Sequence, residues 1–434
     1  MVTLTVISCA MHDKGNTAMH TRKLTTTLLA GLLGAFLSST VHAIEFEIAG
    51  EAGIEQRYFF EDPLLPTQER GQSSLYLAPE FYYSWNDGDD RLVIKPFGRL
   101  DQHDSERSHA DIREFHWLHQ SRDWEFLAGV SKVFWGQTES LHLVDVINQT
   151  DLVEAVDGED KLGQPMLSAS YFSDYGRFSA FILPYFRERT FAGVEGRITP
   201  PFEIDTDNPL FASGGEEQHI DYALRWQHTL GDWDLGVSYF DGTNRDPLLA
   251  QSLDPQTGQP VLRPYYSQIQ QVGIDALAVV DAWLLKFEGI YRKDDLLNVP
   301  LSLQPIVKDE FFAAVLGFEY THVGLFNSAY DLGWLMEYQF DERENAPFVF
   351  GQNDLMLGFR LVVNDIDGTE FLIGMVQDLD NSSSYTGFIE ASSRMTDQWR
   401  WKLDAYFFAT DVVTDPLYFL RREDFIQFTL EYYF

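Results

Sequence analysis

A long acidic segment, 135–165, carries the side chains of this sequence whose types and spacing could do chemistry. It holds seven carboxylates and one histidine, opposed by Lys161: Glu139, His142, Asp145, Asp151, Glu154, Asp157, Glu159 and Asp160. Rings of acidic side chains select cations in pores. Carboxylates also bind Ca²⁺ or Mg²⁺, although the dense run 157–160 lacks the spacing of an EF-hand. We expect no cofactor beyond such an ion, and the alternative is a solvated acidic run.

Apolar residues in the same segment bear on where it lies. Leu141, Leu143, Val144 and Ile147 have near-helical spacing and predict a short helix. Loops of this length in compact proteins are usually functional. An exposed loop has little use for so many aliphatic side chains, whereas the inner wall of a hollow fold would cover them. We therefore favour an inward loop over an outward loop that only packs on its neighbours.

Basic side chains recur on one predicted strand face and would form a wall opposite the acidic segment. They are Arg57, Lys95, Arg99, Arg225, Lys286, Arg360, Arg400 and Lys402. Acidic residues share that face: Glu45, Glu47, Glu51, Glu80 and Glu337. An acidic loop facing a basic wall would set up a transverse field that orients polar solutes. For any single residue, a solvated charge held in a salt bridge is an equally good interpretation.

Motifs of catalysis are missing from the sequence. There is no Gly-x-Ser-x-Gly elbow, His-Glu-x-x-His, Walker or dinucleotide glycine motif. His142 has no second histidine at ligand spacing, so we interpret it as a hydrogen-bonding residue of the loop. We predict that the chain is not an enzyme.

The elements that must position these residues are β-strands, because apolar and polar residues alternate with a period of two. At the predicted mature start, Ile44, Phe46 and Ile48 alternate with Glu45 and Glu47. A charged face opposite an apolar face fits a strand with lipid outside and water inside. Such alternation recurs to the end and predicts about 18 strands, with about 16 as the alternative. The segments 109–119, 166–172 and 382–394 are ambiguous, since Arg113 would share the face of Phe115.

The connections alternate between short and long. Short turn sequences lie at 86–90, 121–123, 174–176, 230–232, 364–368 and 396–398. Long polar segments lie at 135–165, 188–216, 241–265, 294–308, 341–352 and 410–423. Tryptophans collect at strand ends, as in an interfacial girdle: Trp85, Trp124, Trp233, Trp283, Trp334 and Trp399. This arrangement is typical of transmembrane barrels with tight turns on one side and long loops on the other.

The last stretch, 425–434, is the clearest strand. Its apolar residues alternate to the final position: Ile426, Phe428, Leu430, Tyr432 and Phe434. An unpaired terminal strand would aggregate, and closing a barrel against the first strand removes that edge. The alternative is an edge strand of a soluble sandwich. A mean hydropathy of −0.21 with 15% aromatic residues excludes a bundle of membrane helices but fits a barrel.

The N-terminus has the pattern of a secretory signal peptide. A basic start, Met19 to Lys23, precedes an apolar stretch and a small-residue cleavage site ending at Ala43. Residues 1–18 are interpreted as an upstream extension, and 44–434 as the mature protein. Its 66 acidic and 28 basic residues give 28 − 66 = −38, which argues against nucleic-acid partners. The single cysteine, Cys9, would be removed, so disulfides are excluded.

With these elements in place, the chain resembles Gram-negative outer-membrane porin-type barrels over 44–434. The terminal Phe434 is similar to the closing aromatic of such barrels, and 135–165 holds the position of the third loop of general porins. The stretches 135–136 and 147–151 are similar to loops of proteobacterial outer-membrane families without an assigned activity. The resemblance implies an all-β, antiparallel transmembrane barrel with one loop folded into its lumen, located in the outer membrane.

Three functions remain open from the sequence. The first is a passive channel for small hydrophilic solutes or ions. The second is a structural or assembly component of an envelope export system, and the third is a barrel enzyme, which the missing motifs disfavour. The partners that the resemblance implies are outer-membrane lipid and lipopolysaccharide, the barrel assembly machinery and small solutes.

Overall fold

A computed structural model describes residues 44–254, 256–295, 309–343 and 351–434. The predicted extension and signal peptide, 1–43, lie outside the described residues, as do parts of the predicted long segments 294–308 and 341–352.

Eighteen antiparallel strands form one closed sheet, in which the first strand pairs with both the second and the last. They are β1 (Glu45–Phe59), β2 (Gly71–Trp85), β3 (Asp90–Asp101), β4 (Ala110–Gln120), β5 (Trp124–Ser131), β6 (Gln164–Ser173), β7 (Gly176–Leu183), β9 (Asp221–Leu230), β10 (Trp233–Thr243), β13 (Gln268–Val280), β14 (Trp283–Asp295), β15 (Glu310–His322), β16 (Asp331–Asp341), β17 (Asn353–Val362), β18 (Glu370–Asp378), β19 (Tyr385–Arg394), β20 (Trp399–Ala409) and β21 (Phe425–Tyr433). The all-β barrel is confirmed with 18 strands, and the alternative of 16 is wrong.

Short elements complete the described fold. β8 (Leu210–Phe211), β11 (Leu248–Leu253) and β12 (Pro260–Tyr266) form a small separate sheet. Single 3₁₀ turns lie at Asn86–Gly88, Glu216–Gln218, Leu325–Asn327 and Pro416–Phe419. No helix in the described part of the chain has the length and apolar character to cross a membrane.

The two faces of the strands divide as the period of two predicts. On β1, Ile48 and Ile54 are 51% and 56% exposed on the outer surface. Their neighbours Glu55 and Arg57 point inward and are buried. Because successive side chains of a strand point to opposite faces, the outside is apolar and the inside is polar.

The connections alternate between the two ends of the barrel, and the longest ones lie at the same end. One end, called here the turn end, carries the connections 86–89, 121–123, 174–175, 231–232, 281–282, 323–330, 363–369 and 395–398. The other, the loop end, carries, within the described residues, 60–70, 102–109, 132–163, 184–220, 244–254, 256–267, 379–384 and 410–424. The six tryptophans predicted to form a girdle all lie at the turn end, so they form a single girdle.

The ambiguous segment 109–119 is β4, and a bulge explains its broken alternation. Lys95 pairs with Glu114 while the next residue, Pro96, pairs with Ile112. Arg113 is therefore the extra residue, which bulges insert at the cost of the regular pattern. It turns to the interior, where its guanidinium lies 3.3 Å from Asp160. The other ambiguous segments form most of β6 and all of β19.

The last strand closes the barrel against the first. The pairing runs from Glu51 opposite Tyr433 to Phe59 opposite Phe425. The backbone N–H of Phe434 donates to the Gly50 carbonyl at 3.0 Å, and its ring remains 44% exposed on the outer surface. The predicted outward set of this strand includes Phe428, which is also exposed.

We expect deletion of Phe434, or Phe434→Asp, to impair barrel assembly. The closing strand would lose its terminal aromatic, and the aspartate would place a charge on the apolar outer surface. The measurement is the fraction of protein that migrates as a folded, heat-modifiable band on unheated SDS gels. Phe434→Tyr is the matched control and should assemble normally. A normal folded fraction for Phe434→Asp would contradict this interpretation of the C-terminus.

Candidate channel constriction

The connection 132–163 folds into the barrel and is closed at its base by Asn148. The Asn148 Oδ1 accepts from the Val133 N–H at 2.8 Å, and its Nδ2 donates to the carbonyls of Ser131 and Leu162. Asn148 is 1% exposed. This side chain divides the connection into a first lobe, 133–147, and a second lobe, 149–161.

Two inward carboxylates of the wall hold the backbone of the first lobe. Glu288 of β14 accepts from the N–H groups of Gln137, Thr138 and Val144 and from the Thr138 hydroxyl, at 2.7–3.2 Å. Glu337 of β16 accepts from two further N–H groups and from the Ser140 hydroxyl. The lobe is held in an irregular conformation by these distant acceptors, and the predicted helix at 141–147 does not form.

The apolar residues of the first lobe pack against the inner wall. Trp135, Val144 and Ile147 are at most 3% exposed and form one apolar cluster with wall residues that include Phe181 and Phe240. The arc from β6 to β15 is therefore filled by a packed core. Burial of this apolar surface removes it from water, which is the main force that keeps the lobe inside.

Glu139 lies at the tip of the first lobe. Its carboxylate is 3.1 Å from Lys286 Nζ and accepts a hydrogen bond from Arg360 of β17. β17 is nine strands from β5 around the eighteen-stranded ring. The first lobe therefore crosses the full diameter of the lumen.

The second lobe crosses in another direction, to β3 and the loop-end connection that follows it. Glu154 accepts from Arg99 at 2.7 Å, lies 2.8 Å from His109 Nε2, and has Arg107 beside it. Burial raises the pKa of Glu154, but the His109 hydrogen bond and the charges of Arg99 and Arg107 outweigh it and lower this pKa to about 2. Glu154 is thus ionised throughout the neutral range.

We expect the stability of the docked second lobe to depend on pH through Glu154. Its pKa is depressed from 4.5 to about 2 in the folded state, so the stabilisation is present above pH 4.5 and is lost as pH falls towards 2. A shift of that size corresponds to about 3 kcal/mol. The thermal unfolding midpoint of wild type in detergent should fall across this window. Glu154→Gln should already be destabilised at neutral pH and show a flatter profile, whereas parallel profiles would contradict the assignment.

The connection 184–220 covers the second lobe from the loop end. Thr190 donates to the Asp151 carboxylate at 2.7 Å, and Arg197 makes a fully buried ion pair with Glu423 at 2.7 Å. The space left between the lobe, Arg107 and Arg197 is about 10 Å³. That volume holds about one water molecule, so the second lobe packs closely against its neighbours here.

The lobes touch the arc from β17 to β20 at its two ends, through Arg360 and Tyr406, and leave the wall between these contacts open. Asp157, at the tip of the second lobe, accepts from the Tyr406 hydroxyl of β20 at 3.0 Å. Burial raises the pKa of Asp157. Next to Asp157, Glu390 of β19 and Asp404 of β20 occupy opposite positions of the strand pair. They line a recess of about 260 Å³ in the wall.

A histidine joins the two lobes beside this opening. His142 Nε2 of the first lobe lies 2.7 Å from the Glu159 carboxylate of the second lobe. Burial lowers the pKa of His142, but the hydrogen bond and charge of Glu159 outweigh it and raise this pKa above its usual value. The expected role of His142 as a hydrogen-bonding residue of the loop is confirmed by this contact.

The remaining acidic residues of the loop bind neighbours rather than one another. Asp145 lies 3.4 Å from Lys161, Asp151 binds Thr190, and Asp160 lies 3.3 Å from Arg113. The run 157–160 therefore points its carboxylates at separate partners. In the described ranges, no three His, Cys, Asp or Glu side chains are grouped to hold a metal ion.

All eight predicted wall cations point inward, but each has an acidic or polar partner. The pairs are Arg57 with Glu55 and Gln427, Lys95 with Glu80 and Glu114, Arg99 with Glu55 and Glu154, Arg225 with Asp275, Lys286 with Glu139, Arg360 with Glu139, Arg400 with Glu370, and Lys402 with Glu431. Only Arg99, Lys286 and Arg360 bind loop carboxylates directly. The basic wall opposite an acidic loop is therefore corrected to a wall of local ion pairs.

Several residues of the site were not predicted. Asn148, Glu288, Glu390, Asp404 and Tyr406 shape the opening, and of the wall anchors only Glu337 was placed inside from the sequence. Alternation along β14 would have placed Glu288 inward, because Leu285 and Tyr291 are exposed on the other face. It would not have given its partners, since Thr138 is 150 residues away.

Comparison with known proteins gives matches among solved structures. No protein-family model and no curated protein matches the chain. Among solved structures, OmpT, an outer-membrane protein of Vibrio cholerae, shares 11% identity and covers 90% of this chain and 100% of its own, with a TM-score of 0.46. A BenF-like porin of Pseudomonas fluorescens shares 8% (90% and 98% covered, TM-score 0.48). Wzi of Escherichia coli, an outer-membrane carbohydrate-binding barrel involved in capsule assembly, shares 9% (88% and 83% covered, TM-score 0.47).

Proposed function

We propose that the chain is an outer-membrane channel through which small hydrophilic solutes and ions diffuse. The observation that carries the proposal is the shape of the lumen. Two lobes fill the arcs from β6 to β15 and around β1 to β3, and the arc from β17 to β20 stays lined with polar side chains. A wall with an inward loop and an open polar arc can restrict passage without closing it.

The turn end supports the same interpretation. Below the first lobe lies a cavity of about 520 Å³, lined by Gln137, Arg177, Gln227 and Asp275 among others. Such a polar vestibule can hold hydrated solutes that have passed the lobes.

The outer surface supports the location. Exposed apolar side chains cover the strands, and tryptophans ring the turn end, as an apolar band with an interfacial girdle requires. The predicted signal peptide would direct the chain to export. A closed sheet has no open edge, which membrane insertion demands.

Planar-bilayer recording of the purified, heat-modifiable protein tests this function. Wild type should give unitary conductance steps, and deletion of 138–160 should raise them, because both lobes then leave the lumen. Folded protein that gives no unitary steps, with or without 138–160, would overturn the channel. In that case an assembly or structural role would have to explain the barrel.

A further inference from the structure

The recess between β17 and β20 places two acidic side chains beside two basic side chains. Its walls include Glu390 and Asp404 together with Arg400 and Lys402, in about 260 Å³. Sites for small molecules usually span about 300–1,000 Å³, so this one suits only a small solute.

The two carboxylates of the recess face each other across the strand pair. Glu390 and Asp404 are register partners on neighbouring strands and both point into the lumen. Neither makes an ion pair with any side chain in the described part of the chain. Like charges directly opposite in a sheet are destabilising. A cation between them would relieve this repulsion.

The two neighbouring basic side chains have partners but do not use all of their hydrogen-bond donors. Arg400 Nη2 donates to the Ser392 hydroxyl at 2.7 Å and lies 3.4 Å from the Glu370 carboxylate. Lys402 Nζ lies 2.6 Å from the Glu431 carboxylate. A guanidinium has five donors and an ammonium has three, so both keep donors to spare. Arg400, Lys402 and Asp404 are successive inward residues of one strand, about 6.6 Å apart.

From this arrangement we infer that the recess is a binding site for a small zwitterion of the α-amino acid type. The ammonium of the solute donates to Glu390 and Asp404, and its carboxylate accepts from the spare donors of Arg400 and Lys402. A free anion meets two carboxylates that make no ion pair in the described residues, and a neutral polyol gains no ionic contact. The inference deepens the proposed channel and rests on it.

Such a site would help passage rather than block it. Conduction requires binding that is strong enough to draw a solute in and weak enough to let it leave. The recess lies on the open arc and is half exposed to the lumen, so water competes for every contact and keeps the binding weak.

Uptake into proteoliposomes tests the inference with three probes of similar size: L-alanine, ethanolamine and erythritol. Initial rates are measured at submillimolar concentration, after subtraction of the rate into protein-free liposomes. In wild type, L-alanine should enter faster than erythritol. Glu390→Gln with Asp404→Asn should slow L-alanine and ethanolamine about tenfold, the loss expected for one charge-assisted hydrogen bond, and leave erythritol unchanged. Glu45→Gln with Glu47→Gln removes the same charge from inward positions of β1 outside the recess and serves as control.

The carboxylate half of the site has its own variant. Arg400→Gln should slow L-alanine and leave ethanolamine unchanged, because only the amino acid has a group for Arg400 to bind. Equal effects on both solutes, or none on either, would overturn the zwitterion and leave a plain cation site. Equal wild-type rates for L-alanine and erythritol would overturn the site while leaving the channel in place. Failure of all three probes to enter would instead contradict the proposed function.

Discussion

Replacing Glu288 and Glu337 together by alanine should release the first lobe and raise the single-channel conductance. These carboxylates are 0% and 2% exposed and accept all their hydrogen bonds from the lobe itself. Each charge-assisted bond is worth about 1.5–3 kcal/mol. Without these acceptors, the N–H groups of the lobe are satisfied only if it moves out into water. The conductance should approach that of the deletion of 138–160.

The same variant can be checked by proteolysis. The released lobe should be cut by added protease in the folded barrel, while the wild-type lobe stays protected. Glu45→Ala with Glu47→Ala removes two inward carboxylates at the start of β1 that hold no part of the loop, and should change neither readout. Unchanged conductance of the folded Glu288→Ala, Glu337→Ala protein would mean that the apolar core alone holds the lobe.

Neutralising the acidic residues at the tip of the second lobe should shift ion selectivity towards anions. Wild type should prefer cations, because the chain is strongly acidic and charges are excluded from the apolar outer band. Asp157→Asn, Glu159→Gln and Asp160→Asn together should move the reversal potential in a salt gradient towards anions. A unit charge about 8 Å away in water is worth about 0.5 kcal/mol, or about a twofold change in local ion concentration. The preference should weaken at 1 M salt, where the Debye length is about 3 Å.

The structure also ranks these three substitutions. Asp157 faces the open arc without an ion pair in the described residues, whereas Glu159 binds His142 and Asp160 binds Arg113. Asp157→Asn alone should therefore give most of the shift. Glu69→Gln, Glu203→Gln and Glu216→Gln remove three exposed loop-end charges and should have a smaller effect. A wild type that prefers anions at low salt would mean that the paired wall cations dominate.

The architecture was predictable because it depends on a local pattern. Alternation in β1 or β21 requires only that each side chain face either lipid or water, and the sequence alone states which. β4 resisted prediction because the bulge at Arg113 shifts the phase within one strand. The predicted helix at 141–147 was wrong because residue spacing alone cannot reveal that the lobe packs irregularly against the wall and is held there by distant Glu288.

The site was predictable in location but not in its pairing. Segment 135–165 was identified as the inward loop, and the described connection is 132–163. Which charge meets which depends on barrel closure, as for Glu139 with Arg360, 221 residues apart. Residues 382–394 were ambiguous, so Glu390 was left out of the predicted site.

The base and the first lobe of the inward loop are held by partners at very different distances along the sequence, and this difference sets an order of folding. Asn148 reaches Ser131 and Leu162 within 17 residues, so the base can form as soon as β5 and β6 pair. The first lobe waits for β14, β16 and β17, and contacts of such separation form slowly. Until then Val144 and Ile147 expose apolar surface on an unclosed sheet, where aggregation competes with docking. The interior of this barrel is therefore completed last, from the C-terminal half of the chain inward.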